Sequence, residues 1–211
     1  MIQTAALDAR IWQAIVAGAF VAIGWIVNGW QNRREAAALR AERLRDVHRA
    51  LYAEIASYLT NLDSVAALMA YRDDLVTRMQ LDKTYVPLIP RERNDTVFRA
   101  LVADIHILPR VTIDPIVSYY SQLFAIEAMI DDMRGERFKT LEPERRIAMY
   151  SDYIDLKIQA FNDGDYALKM IAAYAKGGPT AALAEEARIA RALGTKRISS
   201  PDADPSGRSP E

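Results

Sequence analysis

The sequence contains no cysteine. That absence excludes a disulfide framework, zinc–thiolate and iron–sulfur sites, and a thiol nucleophile. Histidine is almost as scarce, with only His48 and His106. Neither belongs to an H-E-x-x-H or a Glu-x-x-His pair, so a metal site in a helical core lacks a ligand set. There is no surplus of either charge, because 27 Lys and Arg face 28 Asp and Glu. A general attraction to nucleic acid is therefore not expected, and any basic patch must be local. The G-x-G-x-x-G, G-x-x-x-x-G-K-[ST] and G-x-S-x-G patterns are all missing, which removes nucleotide cradles and the hydrolase elbow. Neither a cofactor nor a catalytic residue can be named. No pair of strands with a turn signal is present.

What is present begins with a long uncharged run. Residues 11–30 read IWQAIVAGAFVAIGWIVNGW, twenty residues without a charge. At 1.5 Å per helical residue this covers about 30 Å, the thickness of a bilayer's hydrocarbon core. All three tryptophans lie in this run. Trp12 and Trp30 stand at its two ends, where an indole favours the headgroup boundary. One arginine, Arg10, precedes the run, whereas Arg33, Arg34, Arg40, Arg43, Arg45 and Arg49 follow it. Positive loops stay inside, so the expected placement is a single pass through a bacterial inner membrane, N-terminus out and the remainder cytoplasmic. Two readings compete. A cleavable signal peptide is disfavoured because the basic residues follow the run and no small-x-small site precedes Arg33. A buried helix of a soluble fold is disfavoured because uncharged runs of this length are rare there.

Within the run, Ala14, Gly18 and Ala22 recur every four residues. Such a strip lets a second helix approach closely, so a homo-oligomer in the membrane is one expectation. The competing reading is that small residues are simply common in membrane helices. Arg33 and Arg34, with Trp12 and Trp30, are assigned to the membrane interface; the arginines read as a positive-inside signal, with contact to anionic headgroups as the alternative.

The chain from Gln31 to Leu75 has neither Pro nor Gly, and one long helix is expected, with no stop before about Gln80. Residues 31–43 mix charges without an apolar stripe and read as a solvated stalk. Beyond them Leu44, Val47, Leu51, Ile55, Tyr58, Leu62, Val65 and Met69 fall on one stripe. Pro87 and Pro90 enforce a turn. Asn94 or Asp95 then caps a short helix carrying Val97, Phe98, Leu101, Val102 and Ile105, ended by Pro109. Thr112 is expected to cap the next, with Ile116, Tyr119, Leu123, Ile126, Ile130 and Met133 as its buried row and Val117, Tyr120 and Phe124 as a second. Gly135 closes it. Another helix begins near Pro143 with Ile147, Tyr150, Ile154, Ile158 and Phe161 in a stripe, and Asn162-Asp163-Gly164 is a candidate kink before it resumes. Gly177-Gly178-Pro179 is a stop, after which residues 180–194 form a short, loosely packed helix. Residues 195–211 read as a disordered tail.

The expected architecture is all-α: a membrane helix continuing into a long helix that packs in an antiparallel bundle. Its parts are an extracytoplasmic N-terminus (1–10), the span (11–30), the stalk (31–43), the bundle (44–176), the accessory helix (180–194) and the tail (195–211).

His48 and His106 read as helix-surface residues. Asp73-Asp74 and Asp131-Asp132 are the carboxylate pairs available for acid–base work, but neighbours on a helix diverge by about 100°, so both read as solvated surface. Tyr119, Tyr120, Tyr150 and Tyr153 serve the core, or mark a protein-binding patch if they gather on an outer face.

The plan of a Trp-bearing span running into NRREAAALRAERLRDVHRALYAEI, followed by ILPRVTIDPIVSYYSQL, resembles small single-span membrane proteins of bacterial and prophage genomes. The resemblance covers residues 11 to about 135. It implies an anchor with a helical cytoplasmic domain and assigns no functional residue. The functional expectation is a non-enzymatic protein acting through protein–protein contact, with the bilayer and an unidentified protein, or a second copy, as partners. Two other classes stay open: an envelope-active lysis or exclusion factor of a phage or mobile element, and an enzyme with a site in the bundle core.

Overall fold

The computed structural model describes residues 9–198. All regular structure among them is helical, in six α-helices and one 3-10 turn. The chain divides into two units, Met1–Asp46 and Val47–Glu211.

Helix α1 (Ala9–Leu62) carries the first unit and enters the second. In the first unit, every residue from Trp12 to Asn28 is exposed, Trp25 at 83%. An apolar helix of this length is long and greasy enough to cross a membrane. None of the apolar window is buried, unlike the core helix of a soluble fold. Residues 31–43 are helical and exposed throughout, as their mixed charge leads one to expect.

In the second unit α1 buries Val47, Leu51, Ile55, Tyr58 and Leu62, the stripe read from the sequence. The helix does not run on to Gln80. It stops at Leu62 because Asp63 adopts a left-handed φ of 64°, a conformation Asp tolerates better than most residues. Ser64 then caps α2 (Val65–Leu81), its hydroxyl accepting from the Ala67 N–H at 3.1 Å. The break resets the helical phase. Met69 is left exposed, and Leu68, Leu75 and Met79 face inward instead.

Residues 82–95 form an extended connection with Pro87 and Ile89 buried. It leads to α3 (Thr96–Leu101) and a 3-10 turn over Val102–Ile107. Helix α4 (Arg110–Arg134) starts after Pro109. Thr112 is thus not its cap but lies fully buried in the first turn. The row Ile116, Tyr119, Leu123, Ile126, Ile130 and Met133 is buried as expected, but only Tyr120 of the second row joins it; Val117 and Phe124 are exposed. A five-residue helix, α5 (Glu136–Thr140), follows Gly135 and buries Phe138.

Helix α6 (Pro143–Ile198) packs along both α4 and α2. It passes through Asn162-Asp163-Gly164 without a break. A Cβ at Gly164 would lie 2.6 Å from Leu59 Cδ1 and 3.0 Å from the Tyr119 ring. The glycine therefore serves the close approach of α1, α4 and α6, not a kink. The kink comes at Gly177 and Gly178, the latter with φ 64°. Beyond it the helix extends to Ile198, past the expected end at residue 194, and Ala182 is fully buried. Residues 195–198, expected in the disordered tail, are thus helical, while residues 199–211 of that tail and residues 1–8 of the expected extracytoplasmic N-terminus lie outside the described residues.

Candidate functional site

Among the residues assigned to the membrane interface, the Arg34 guanidinium lies over the Trp30 ring, 5.5 Å from its centroid. One turn separates them, so the pair follows from helical geometry, and a cation on an indole face is attractive. Trp12 stands at the other end of the run, also exposed, and Arg33 lies beside Arg34. Gly18 and Ala22 share a shallow groove with Trp25 and Gly29, while Ala14 lies outside it. A Cβ at Gly18 or Gly29 would touch nothing else in the chain.

The second unit contains three polar clusters, each tying elements distant in sequence. His48 is 6% exposed, so it is not the surface residue expected. Its Nε2 lies 2.9 Å from Thr112 Oγ1, and the Thr112 hydroxyl donates to the Pro109 carbonyl at 3.1 Å. With that single hydroxyl proton committed, His48 Nε2–H is the donor. Burial pushes its pKa down to about 4. The Tyr174 ring packs against it at 5.2 Å. His106 is exposed, its Nδ1 2.9 Å from the Ala103 carbonyl.

Glu54 forms the second cluster. Its carboxylate accepts from the N–H of Val97 at 2.6 Å, the N–H of Phe98 at 3.0 Å and the Tyr120 hydroxyl at 2.6 Å. It caps α3 from another helix, because Asp95, in the N-cap position, makes no side-chain cap bond and pairs with Arg99. Phe98 and Tyr120 stack with centroids 3.9 Å apart. Burial, then the bond to Glu54, raises the Tyr120 pKa and keeps the phenol a donor.

Glu92 forms the third. It accepts from Tyr58 at 3.0 Å, Tyr153 at 3.3 Å and Lys157 at 2.5 Å. The Lys157 and Glu92 side chains are only 12% and 20% exposed. Burial raises the pKa of both phenols, with the Glu92 charge second. Arg134 donates to the Ile89 carbonyl at 2.6 Å, and Arg146 to that of Lys83. The connection over 82–95 is thereby fastened at three points from three helices.

Tyr119, Tyr120, Tyr150 and Tyr153 are all buried and form no outer patch. The adjacent carboxylates lie at the surface in ion pairs: Asp73 with Arg72, Asp74 with Arg78, Asp131 with Arg91. No three His, Asp or Glu side chains among the described residues are placed to hold a metal ion. Within each cluster the side chains bond to one another or to the backbone, and Tyr58 and Glu92 line a small cavity while Tyr153 and Lys157 line another. Sequence reading missed Glu54 and Glu92, since each is a lone acid whose partners lie more than thirty residues away.

Comparison with protein-family models, curated proteins and solved structures gives no significant match.

Proposed function

We propose that this chain is a single-pass membrane protein, N-terminus outside, whose cytoplasmic domain works by binding protein, either another chain or a second copy, without catalysing a reaction. The observation that carries this reading is the uncharged helix over 11–30, exposed from Trp12 to Asn28, with Trp12 and Trp30 at its ends and the arginine-rich segment after it. Water does not tolerate such a surface on a lone helix; lipid does. The domain is an antiparallel bundle whose first member continues the anchor. The short connection between α4 and α6 supports that direction, because helices joined by few residues fold back on one another.

The test uses the full chain in its membrane. The protein should resist alkaline carbonate, and protease added to intact cells should leave residues 44–198 uncut. Photo-crosslinkers on the exposed faces of the domain should yield discrete higher-mass species. Release by carbonate, cleavage of the domain from outside, or monomer alone after crosslinking would each overturn the corresponding part of this reading.

A further inference from the structure

A cleft of about 740 Å³ opens between the start of α4 and the two arms of α6, within the size range of small-molecule sites. One wall is the first turns of α4, with Val111 and Pro115; Pro115 has no N–H for the Val111 carbonyl, which lacks its helical donor. The other wall is Pro179 and Leu183, turned by the left-handed Gly178 and anchored through the fully buried Ala182. Tyr166 and Asp163 on α6 and Ser118 on α4 also line it, and Arg110, whose side chain is 93% exposed, is its one lining cation among the described residues. The body of the cleft is apolar and aromatic.

Its polar groups are mostly acceptors. Asp163 is half-buried and accepts from Ser118 at 3.5 Å. Burial holds its carboxyl above the usual range, with the Ser118 bond opposing and no nearby cation contributing. A carboxylate so placed is costly to ionise and gains most from an arriving positive charge. Glu186 lies at the rim near Tyr166, whose phenol it helps to push up after burial. Asp114, also at the rim, meets Arg110 at 3.5 Å, a pair with 67% and 93% exposed side chains that holds little energy. Among the described residues no three acids come together for a metal ion.

We propose that this cleft binds a hydrophobic organic cation: an ammonium group on an aromatic or aliphatic body. The ammonium sits at Asp163 and Ser118, where it supplies the missing charge and can donate to both oxygens. The apolar body lies against Pro115, Leu183 and the Tyr166 ring, which also attracts the cation by its π face. The assignment does not depend on which proteins the domain contacts.

The test titrates phenethylammonium into full-length protein in zwitterionic nanodiscs by calorimetry, with 2-phenylethanol as the neutral analogue of similar shape and empty nanodiscs as blank. Saturable one-site binding of the cation is expected, at least about tenfold tighter than the alcohol. Asp163→Asn, which preserves shape, should weaken cation binding about tenfold and leave the alcohol unaffected. Leu183→Gln changes a side chain that is 55% exposed, so it spares the fold, and should weaken both probes. Equal affinity for cation and alcohol, cation binding indifferent to both substitutions, or no saturable heat would overturn the proposal.

Discussion

The Glu54 carboxylate on α1 accepts the Tyr120 hydroxyl of α4 at 2.6 Å while closing the first turn of α3. One side chain therefore fixes three helices. Glu54→Ala strands two backbone N–H groups and a phenol in a partly buried setting, each costing about 1 kcal/mol or more. The expected loss is about 2–4 kcal/mol of unfolding free energy, read from chemical denaturation in a non-denaturing detergent. Glu54→Gln keeps one acceptor oxygen and should lose about half as much. An unchanged midpoint in Glu54→Ala would show that the cap is not formed in solution.

Gly164 is the point of closest approach between α1, α4 and α6. Replacing a helical Gly by Ala normally gains about 1 kcal/mol. Here the new methyl would meet Leu59 Cδ1 at 2.6 Å and the buried Tyr119 ring at 3.0 Å, and overpacking of this kind costs about 1–3 kcal/mol. Gly164→Ala is therefore expected to lower the melting temperature. A higher one would place the three helices further apart than described.

His48 carries a pH dependence whose sign follows from burial. Its pKa is about 4 in the folded protein against an ordinary 6.5. Between these values the unfolded chain binds a proton that the folded chain refuses, so stability falls as pH drops from about 6.5 and the loss is complete below about 4. The amount is at most about 3 kcal/mol. His48→Gln retains a donor for Thr112 without titrating, and its stability curve should be flatter over that window. A parallel curve would assign the slope to other groups.

Lys157 of α6 and Glu92 of the connection over residues 82–95 form a largely buried ion pair. Lys157→Met leaves Glu92 with two phenols and no cation, an expected loss of about 2–3 kcal/mol. Glu92→Gln combined with Lys157→Met should recover at least about 1 kcal/mol, because neither charge is then left alone. Strictly additive losses in the four-protein cycle would mean that the pair is not coupled.

Much of the helical plan was legible in the residues. The row from Ile116 to Met133 and the stripe from Val47 to Leu62 are buried as their spacing implies, because a helix must turn one face inward wherever apolar residues recur at three and four. The stop at Leu62 was legible in part. Asp63-Ser64 is a cap signal, but it sits inside a run of strong helix formers that offers no Pro or Gly. Nothing local marked His48 as buried, since a lone imidazole beside an apolar stripe reads the same on a surface or under a neighbouring helix. Asn162-Asp163-Gly164 reads as a breaker locally, yet it is where three helices touch.

The sequence alone determined the helical class, the uncharged run with its tryptophans and one-sided arginines, and the identity of most core faces, since these depend on composition and period. The tertiary structure decided the rest: which acids cap and clasp distant segments, why Gly164 stays helical, and where Asp163 comes to face the wall beyond Gly178. Those outcomes depend on contacts between residues tens of positions apart, and such contacts exist only once the chain has folded.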